Sequence, residues 1–207
     1  MGDVIEVYHR EYDPKRPVVC IDEQPIQLIG ETRTPIPAKP GQPARYDDGY
    51  QRNGTANLFL AFAPRVGWRH IEVTERRTAT DFGAFLRYVV DEVYAEAEEV
   101  VLVTDNLNVH GVGSLYEAFD PATARRLSEK IEWHYTPKHG RWLNVAECEF
   151  AVLTRPCPSR RTPTIGEPRR RVEAWEQARN ARLVEAKWQF TTAQARIKLH
   201  RLYPSTQ

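Results

Sequence analysis

Acidic side chains stand at the ends of apolar runs where a hard metal ion could be held. Asp22 follows Val18-Val-Cys-Ile21, and Asp105 follows Val100-Val-Leu-Val-Thr104. Each leaves a buried strand at its carboxyl end, the edge where ligands of open α/β sheets gather. If the two strands are parallel neighbours, the carboxylates come together. Two unpaired carboxylates that close repel and shift each other's pKa, unless a cation lies between them. Mg²⁺ suits such a place, because it takes oxygen ligands, few of them from protein, and completes its octahedron with water and substrate phosphate. A third acid would complete a two-metal site for phosphodiester chemistry, with ions about 3.5–4 Å apart clamping the attacking and leaving oxygens. A helix from Leu143 offers two candidates. Its apolar face is Leu143, Ala146, Phe150 and Leu153. Glu147 and Glu149 flank that face on opposite sides, each about 80° from its centre. Periodicity does not choose between them. The plainer reading is two strand-end turn formers and a surface charge.

The chain that must position these acids has 207 residues, 41% hydrophobic and 28% charged, which excludes disorder throughout. That length predicts one domain, or one domain with an appendage, with a sizeable core. No apolar run is long enough for a transmembrane helix, and the first residues lack the apolar stretch of a secretory signal. Three scattered cysteines (Cys20, Cys148, Cys157) do not make a disulfide framework and suit a reducing cytosol. Residues 1–16 are polar and read as a linker. Residues 17–29 read as a buried strand with a turn or bulge near Pro25, and 31–54, rich in Pro and Gly, as a long loop. Strands follow at 56–63, 68–73, 100–104 and 131–135. Helices follow at 80–96, within 112–130 with a break at Asp120-Pro121, at 143–154, at 169–187 and at 191–202. Leading strands followed by alternation predict an α/β fold, a mixed sheet with helices on its faces.

Net charge is +1, but it is divided. Residues 1–154 carry 17 Lys/Arg and 24 Asp/Glu, whereas 155–207 carry 12 and 4. A basic tail of this kind contacts a polyanion or simply faces water. His134, His139, Cys148 and Cys157 lack zinc-ligand spacing. No phosphate-binding Gly-rich loop and no G-x-S-x-G elbow is present.

Several phrases occur in a telling order: Ile21-Asp22-Glu-Gln, Val103-Thr-Asp105-Asn-Leu-Asn-Val-His110, and Tyr135-Thr-Pro-Lys-His-Gly-Arg-Trp142-Leu-Asn144-Val-Ala-Glu147. With Tyr50 to Phe59, Trp175-Glu-Gln-Ala-Arg-Asn180 and Phe190 to Pro204, they resemble the catalytic domain of bacterial insertion-sequence transposases in the Tc/mariner superfamily. The resemblance implies a ribonuclease-H-like mixed sheet flanked by helices, with a C-terminal helical tail. It implies a DDE triad of Asp22, Asp105 and Glu147, the Trp-Leu-Asn-x-x-Glu phrase selecting Glu147 over Glu149. It further implies two Mg²⁺ ions, for which Mn²⁺ substitutes, and cutting and rejoining of double-stranded DNA at element ends and target. A silent DNA-binding fragment and a nuclease that never joins are the alternatives.

Candidate DNA contacts are His110, Trp142, Asn144, Arg160, Arg161, Arg169, Arg170 and Arg171. The expected division is a linker remnant at 1–16, a catalytic domain at 17–155 and a basic helical extension at 156–207. Relatives of this type begin with helix-turn-helix modules, so a separate helix-turn-helix half is expected as a partner, with a homodimer possible and no membrane. A nucleoid-associated place in a bacterial cytoplasm is expected. Two departures stand out: 41 residues separate Asp105 from Glu147, a longer interval than is usual, and Arg141 stands where a small residue is usual.

Overall fold

The computed structural model describes residues 1–138, 140–154 and 161–199. Strands β1 (Val18–Glu31), β2 (Tyr50–Ala63) and β3 (Trp68–Thr74) form an antiparallel meander. β4 (Val100–Thr104) and β5 (Ile131–Tyr135) join the other side of β1 in parallel, giving the order β3-β2-β1-β4-β5. Alternation along the strands sorts the apolar side chains onto two faces. Cys20, Leu58, Leu60, Phe62, Val101 and Val103 point one way; Val19, Ile21, Phe59, Ala61, Val100 and Leu102 point the other. Both faces are covered, which is why β4 is buried at every position and apolar from Val100 to Val103.

The second face carries α2 (Ala79–Arg87), α3 (Val112–Ala118) and α4 (Pro121–Glu129), which bury Phe82, Phe85, Leu86, Leu115 and Leu127. Thr78 starts α2 with a reciprocal capping box to Asp81. The helix expected over 80–96 runs as α-helix only to Arg87 and continues as a π-helical turn over Tyr88–Val93. Asp120 caps α4 with Pro121 behind it, producing the expected break.

The first face carries α1 (Gly2–His9), α5 (Ala146–Thr154), α6 (Gly166–Asn180) and α7 (Thr192–Lys198). Here one sequence expectation changes. Residues 1–16 are not merely a linker: Val4, Ile5, Val7 and Tyr8 of α1 are buried in the core, because the apolar residues of this short polar segment share one helical face. The segment expected as a basic helical extension packs, over its described residues, onto the same core. Val172 and Ala195 join the same core, with Trp175, Trp188 and Phe190 against it. Gly67 (φ +67°) turns the chain between β2 and β3, and a Cβ there would sit 2.4 Å from the backbone of Leu183. The tail therefore lies directly across that turn.

The loop expected over 31–54 is mostly the connection of a long β1–β2 hairpin, braced by bridges Ile36–Arg45 and Lys39–Gln42. Pro25 is in the ladder opposite Asn57, and the bulge lies later, between Gln27 and Ile29. The β4 ladder ends at Cys20, so Pro25 sits where β1 has only one neighbour and a missing N–H is tolerated. Among the described residues no helix is long and apolar enough to cross a membrane.

Candidate active site

Register and parity bring Asp22 and Asp105 together. β1 and β4 pair in parallel through Val18–Val101, Val19–Leu102 and Cys20–Val103. Two residues further on, the same register sets Asp22 beside Asp105, both on the side of Cys20 and Val103, which is the side covered by α5. Asn144 fixes that helix to the strand. Its amide Nδ2 donates to the Ile21 carbonyl (2.8 Å), and its Oδ1 accepts from Ala146 N (3.2 Å) at the start of α5. The Tyr8 hydroxyl donates to the Leu143 carbonyl (2.7 Å) and accepts from Val145 N (3.3 Å). So α1 supports the turn that delivers Glu147. Gly140 opens that turn, where a Cβ would be 2.6 Å from Pro137 Cγ; only glycine fits. A single 3₁₀ turn, Arg141–Leu143, precedes α5, where one helix was expected from Leu143.

The three acids meet around one guanidinium. Arg141 Nε is 2.9 Å from Glu147 Oε1 and 3.8 Å from Asp105 Oδ2, and its Nη2 is 3.5 Å from Asp22 Oδ1. Glu147 and Arg141 line a cleft of about 530 Å³ together with Glu23, Gln24, Arg77 and Leu107. Asp22 is 1% exposed, and its Oδ2 has no hydrogen-bond partner. Burial, and then the charge of Glu147, push its carboxyl up to about 7; Arg141 opposes them. Asp105 goes the other way. Burial raises its pKa, but the His110 hydrogen bond and charge, with Arg141, outweigh that and hold it below the ordinary carboxylate range. Two carboxylates on one sheet edge thus have opposite proton affinities. As the side chains stand, no three acidic, His or Cys donors among the described residues are gathered closely enough to enclose an ion.

Residues 17–167 match the DDE superfamily endonuclease family. The chain belongs to that family. Solved structures of the same fold include the Mos1 transposase paired-end complex with left transposon end, at a TM-score of 0.60 and 17% identity over 88% of this chain and 56% of that one. The Mos1 mariner paired-end complex with Mn gives 0.57 and 17%, over 87% and 55%. The Mos1 strand transfer complex gives 0.57 and 17%, over 87% and 54%. The chain therefore spans about half the length of these transposases. No curated protein sequence matches it.

Against this DDE fold the remaining expected contacts separate. His110 is buried between two acids, hydrogen-bonded through Nδ1 to Asp105 and through Nε2 to Glu23, with Thr104 Oγ1 3.2 Å from Nδ1 and the Phe82 ring stacked on it. Burial would lower its pKa, but the bonds to Asp105 and Glu23 prevail and raise it to about 9, so the imidazolium holds the Asp105 loop. Glu23 is reached in turn by Arg77 Nη1 at 3.5 Å. Asn144 is wholly buried and spent on β1 and α5.

Trp142 is 43% exposed beside the cleft with one face against Trp188. Arg161 donates to the Asp47 and Gly49 carbonyls and pairs with Glu31 at 2.6 Å. Arg169 donates to the Val73 carbonyl at 3.2 Å, and Arg171 pairs with Glu167. Arg170 is exposed. Arg160, His139 and Cys157 lie outside the described residues.

Sequence reasoning missed the site roles of Glu23, Arg77 and Tyr8. Glu23 is masked by strand parity, since its neighbour Asp22 claims the opposite face. Arg141 had been marked only as an unusual residue.

Proposed function

We propose that the chain is the catalytic domain of a Tc/mariner-type DNA transposase, in which Asp22, Asp105 and Glu147 hold divalent cations and DNA phosphodiesters are cut and rejoined. One observation carries the reading: three carboxylates from β1, the end of β4 and the first turn of α5 converge on a single positive group at an open cleft. The donor set fits a hard cation. All three ligands are carboxylates, and the buried Asp22 Oδ2 has no other partner. Two Mg²⁺ ions, replaceable by Mn²⁺, suit these acids; when bound they would activate water and neutralise charge on the transferred phosphoryl group.

The chain's own residues supply the rest. His110 keeps Asp105 ionised and aimed. Asn144 sets the distance between strand and helix, and Glu147, partly exposed, closes the site from the cleft side. Asp22, its carboxyl raised to about 7, would hold a cation in its deprotonated form. Arg77, half-exposed on the rim, faces the side from which a DNA backbone would enter. The Mos1 structures contain transposon ends, which supports double-stranded DNA as the partner here. A separate helix-turn-helix half would recognise element ends, a second copy of the chain would pair them, and the work would take place on bacterial DNA at the nucleoid.

The test is incubation with Mg²⁺ or Mn²⁺ and labelled duplexes taken from the DNA flanking the chain's own reading frame. Nicking followed by joining is expected, and it should disappear in Glu147→Gln. Nicking without joining would make the protein a nuclease, and a gel shift without nicking would make it a silent binder.

A further inference from the structure

Arg141 does not behave like an ordinary rim arginine. Its guanidinium lies within 4 Å of all three acids at once, at 2.9, 3.5 and 3.8 Å. Its hydrogen-bond partners among the described residues are carboxylates only, while 56% of its side chain remains exposed. The backbone beneath it is held by Gly140 and by the Tyr8 hydroxyl, so the head group stands on a long, half-exposed side chain over a fixed base. The oxygens it touches (Asp22 Oδ1, Asp105 Oδ2 and Glu147 Oε1) belong to the three side chains that would bind a metal. An oxygen lone pair cannot serve a guanidinium and a cation together. Nor can arginine step aside by losing a proton, since it stays charged at any pH the fold meets. A cation seated among the three acids therefore meets the guanidinium's charge whichever carboxylate oxygens it takes, and displacement of the side chain relieves that repulsion.

We infer that Arg141 is a resident counter-ion of the acid cluster, one that a divalent cation must displace and that then stays at the cleft mouth as a phosphate-binding group. The inference rests on the metal reading given above. Its logic is electrostatic. Three carboxylates gathered without a cation would repel and spread; one guanidinium reduces that repulsion and keeps them facing each other. The same charge then competes with the metal and repels it. Once freed, a planar guanidinium on a long exposed stem is suited to bidentate pairing with a phosphate of the bound strand.

The experiment is Mn²⁺ binding to the whole chain without DNA, by calorimetry, for the wild type, Arg141→Gln, Arg141→Lys and Asp22→Asn. Removing the competing charge should tighten Mn²⁺ binding by about tenfold, which is 1.4 kcal/mol. Arg141→Lys, which keeps the charge but loses the fork, should fall between wild type and Arg141→Gln, and Asp22→Asn should bind weakly. Equal or weaker binding in Arg141→Gln overturns the inference while leaving the metal reading intact. If neither wild type nor Arg141→Gln takes up Mn²⁺, the metal reading itself fails and the inference falls with it. A second measurement uses the wild-type fold. The Arg141 Nε–H resonance, identified by its loss in Arg141→Lys, should shift and exchange faster with water as Mg²⁺ is added. A resonance that stays still while Mg²⁺ binds also overturns the inference.

Discussion

Glu147 and Glu149 are two residues apart on α5 and meet opposite surroundings. Two helical steps rotate them about 200° apart around the axis. Glu147 turns to the cleft and shares Arg141 with two other acids. Glu149 turns inward, 4% exposed, with Arg69 at 2.9 Å and Arg179 at 2.8 and 3.0 Å. Arg69 is itself wholly buried, lies over the rings of Phe62 and Trp175, and donates to the Val184 carbonyl. Asn180 clasps the backbone of Arg69 from both sides, accepting at 2.9 Å and donating at 2.7 Å. One cluster has two arginines for one acid; in the other, three acids share one arginine, and the His110 imidazolium serves Asp105 alone among them. The difference separates a charge network that fastens α6 to β3 and α5 from one left short of cations, as a metal site requires.

The sharpest way to break this comparison is a pair of substitutions. Glu147→Gln should reduce cleavage by a thousandfold or more, about 4 kcal/mol of barrier, and barely move the melting temperature of the metal-free chain. Glu149→Gln should do the reverse. It leaves the buried Arg69 and the partly exposed Arg179 without their shared counter-charge, a loss of about 3–5 kcal/mol, and cleavage measured well below the lowered melting temperature should persist. Gel-based cleavage and differential scanning calorimetry on both variants check this. Equal loss of activity at equal stability would show that Glu149 belongs to the chemistry.

A second prediction sharpens the acid-rich side through pH. The carboxyl of Asp22 is raised from 3.8 to about 7 in the fold. Between those values the folded chain holds a proton that the unfolded chain has released, so stability falls as pH rises through that window. His110, raised from 6.5 to about 9, stabilises fully below 6.5 and loses that contribution as pH climbs through 9. Asp105, with a lowered pKa, works in the opposite sense and only in acid, stabilising above 3.8 and less as pH falls. The metal-free melting temperature should therefore decline steadily from about pH 5 to about pH 8. Asp22→Asn should flatten the part below 7 and leave the upper part. Saturating Mg²⁺ should flatten the same part by taking the proton's place. An unchanged profile in Asp22→Asn would mean that Asp22 is not proton-linked to folding.

Much of this site was legible because the signals were local. Val100 to Thr104 had to be a buried strand, and its carboxyl end had to carry Asp105. The order of phrases singled out Glu147, although helical geometry alone treated it and Glu149 alike. What sets their surroundings apart is an arginine at residue 69 and another at residue 179, and no short-range pattern links positions that far apart. The same phrase, Trp175 to Asn180, that contributed to the resemblance proves to be a clasp: Glu176 accepts from Ile71 N at 2.8 Å, and Arg179 and Asn180 hold Glu149 and Arg69. α1 was misread because its apolar stripe spans only two turns, Val4 to Tyr8, and the polar residues that follow it up to Arg16 dominate the segment. Its Tyr8 is recognisable as a support only when the 3₁₀ turn stands beside it.

The smallest expected effect concerns where DNA touches the molecule, and it divides charges already spent from charges still available. The basic tail predicted phosphate contacts across its arginines, yet Arg161, Arg169, Arg171 and Arg179 are bonded to carbonyls and carboxylates of the chain itself. An arginine so engaged gives little to phosphate without first breaking those bonds. Arg77 stands half-exposed at the cleft, with one ion pair at 3.5 Å among the described residues, and Arg170 is exposed on α6. Each phosphate neutralised contributes about −0.9 to the slope of log affinity against log salt. Arg77→Gln should therefore make that slope less steep by about 0.9, measured by fluorescence anisotropy on duplex DNA with Ca²⁺ present to prevent cleavage. Arg170→Gln should match it only if DNA reaches α6. Arg169→Gln and Arg171→Gln should leave the slope where it is and lower the melting temperature by a degree or two, about what the loss of a partly exposed hydrogen-bonded pair costs. A slope that Arg169→Gln and Arg171→Gln flatten, and that Arg77→Gln leaves unchanged, would return DNA binding to the tail and show that its internal bonds open when DNA arrives.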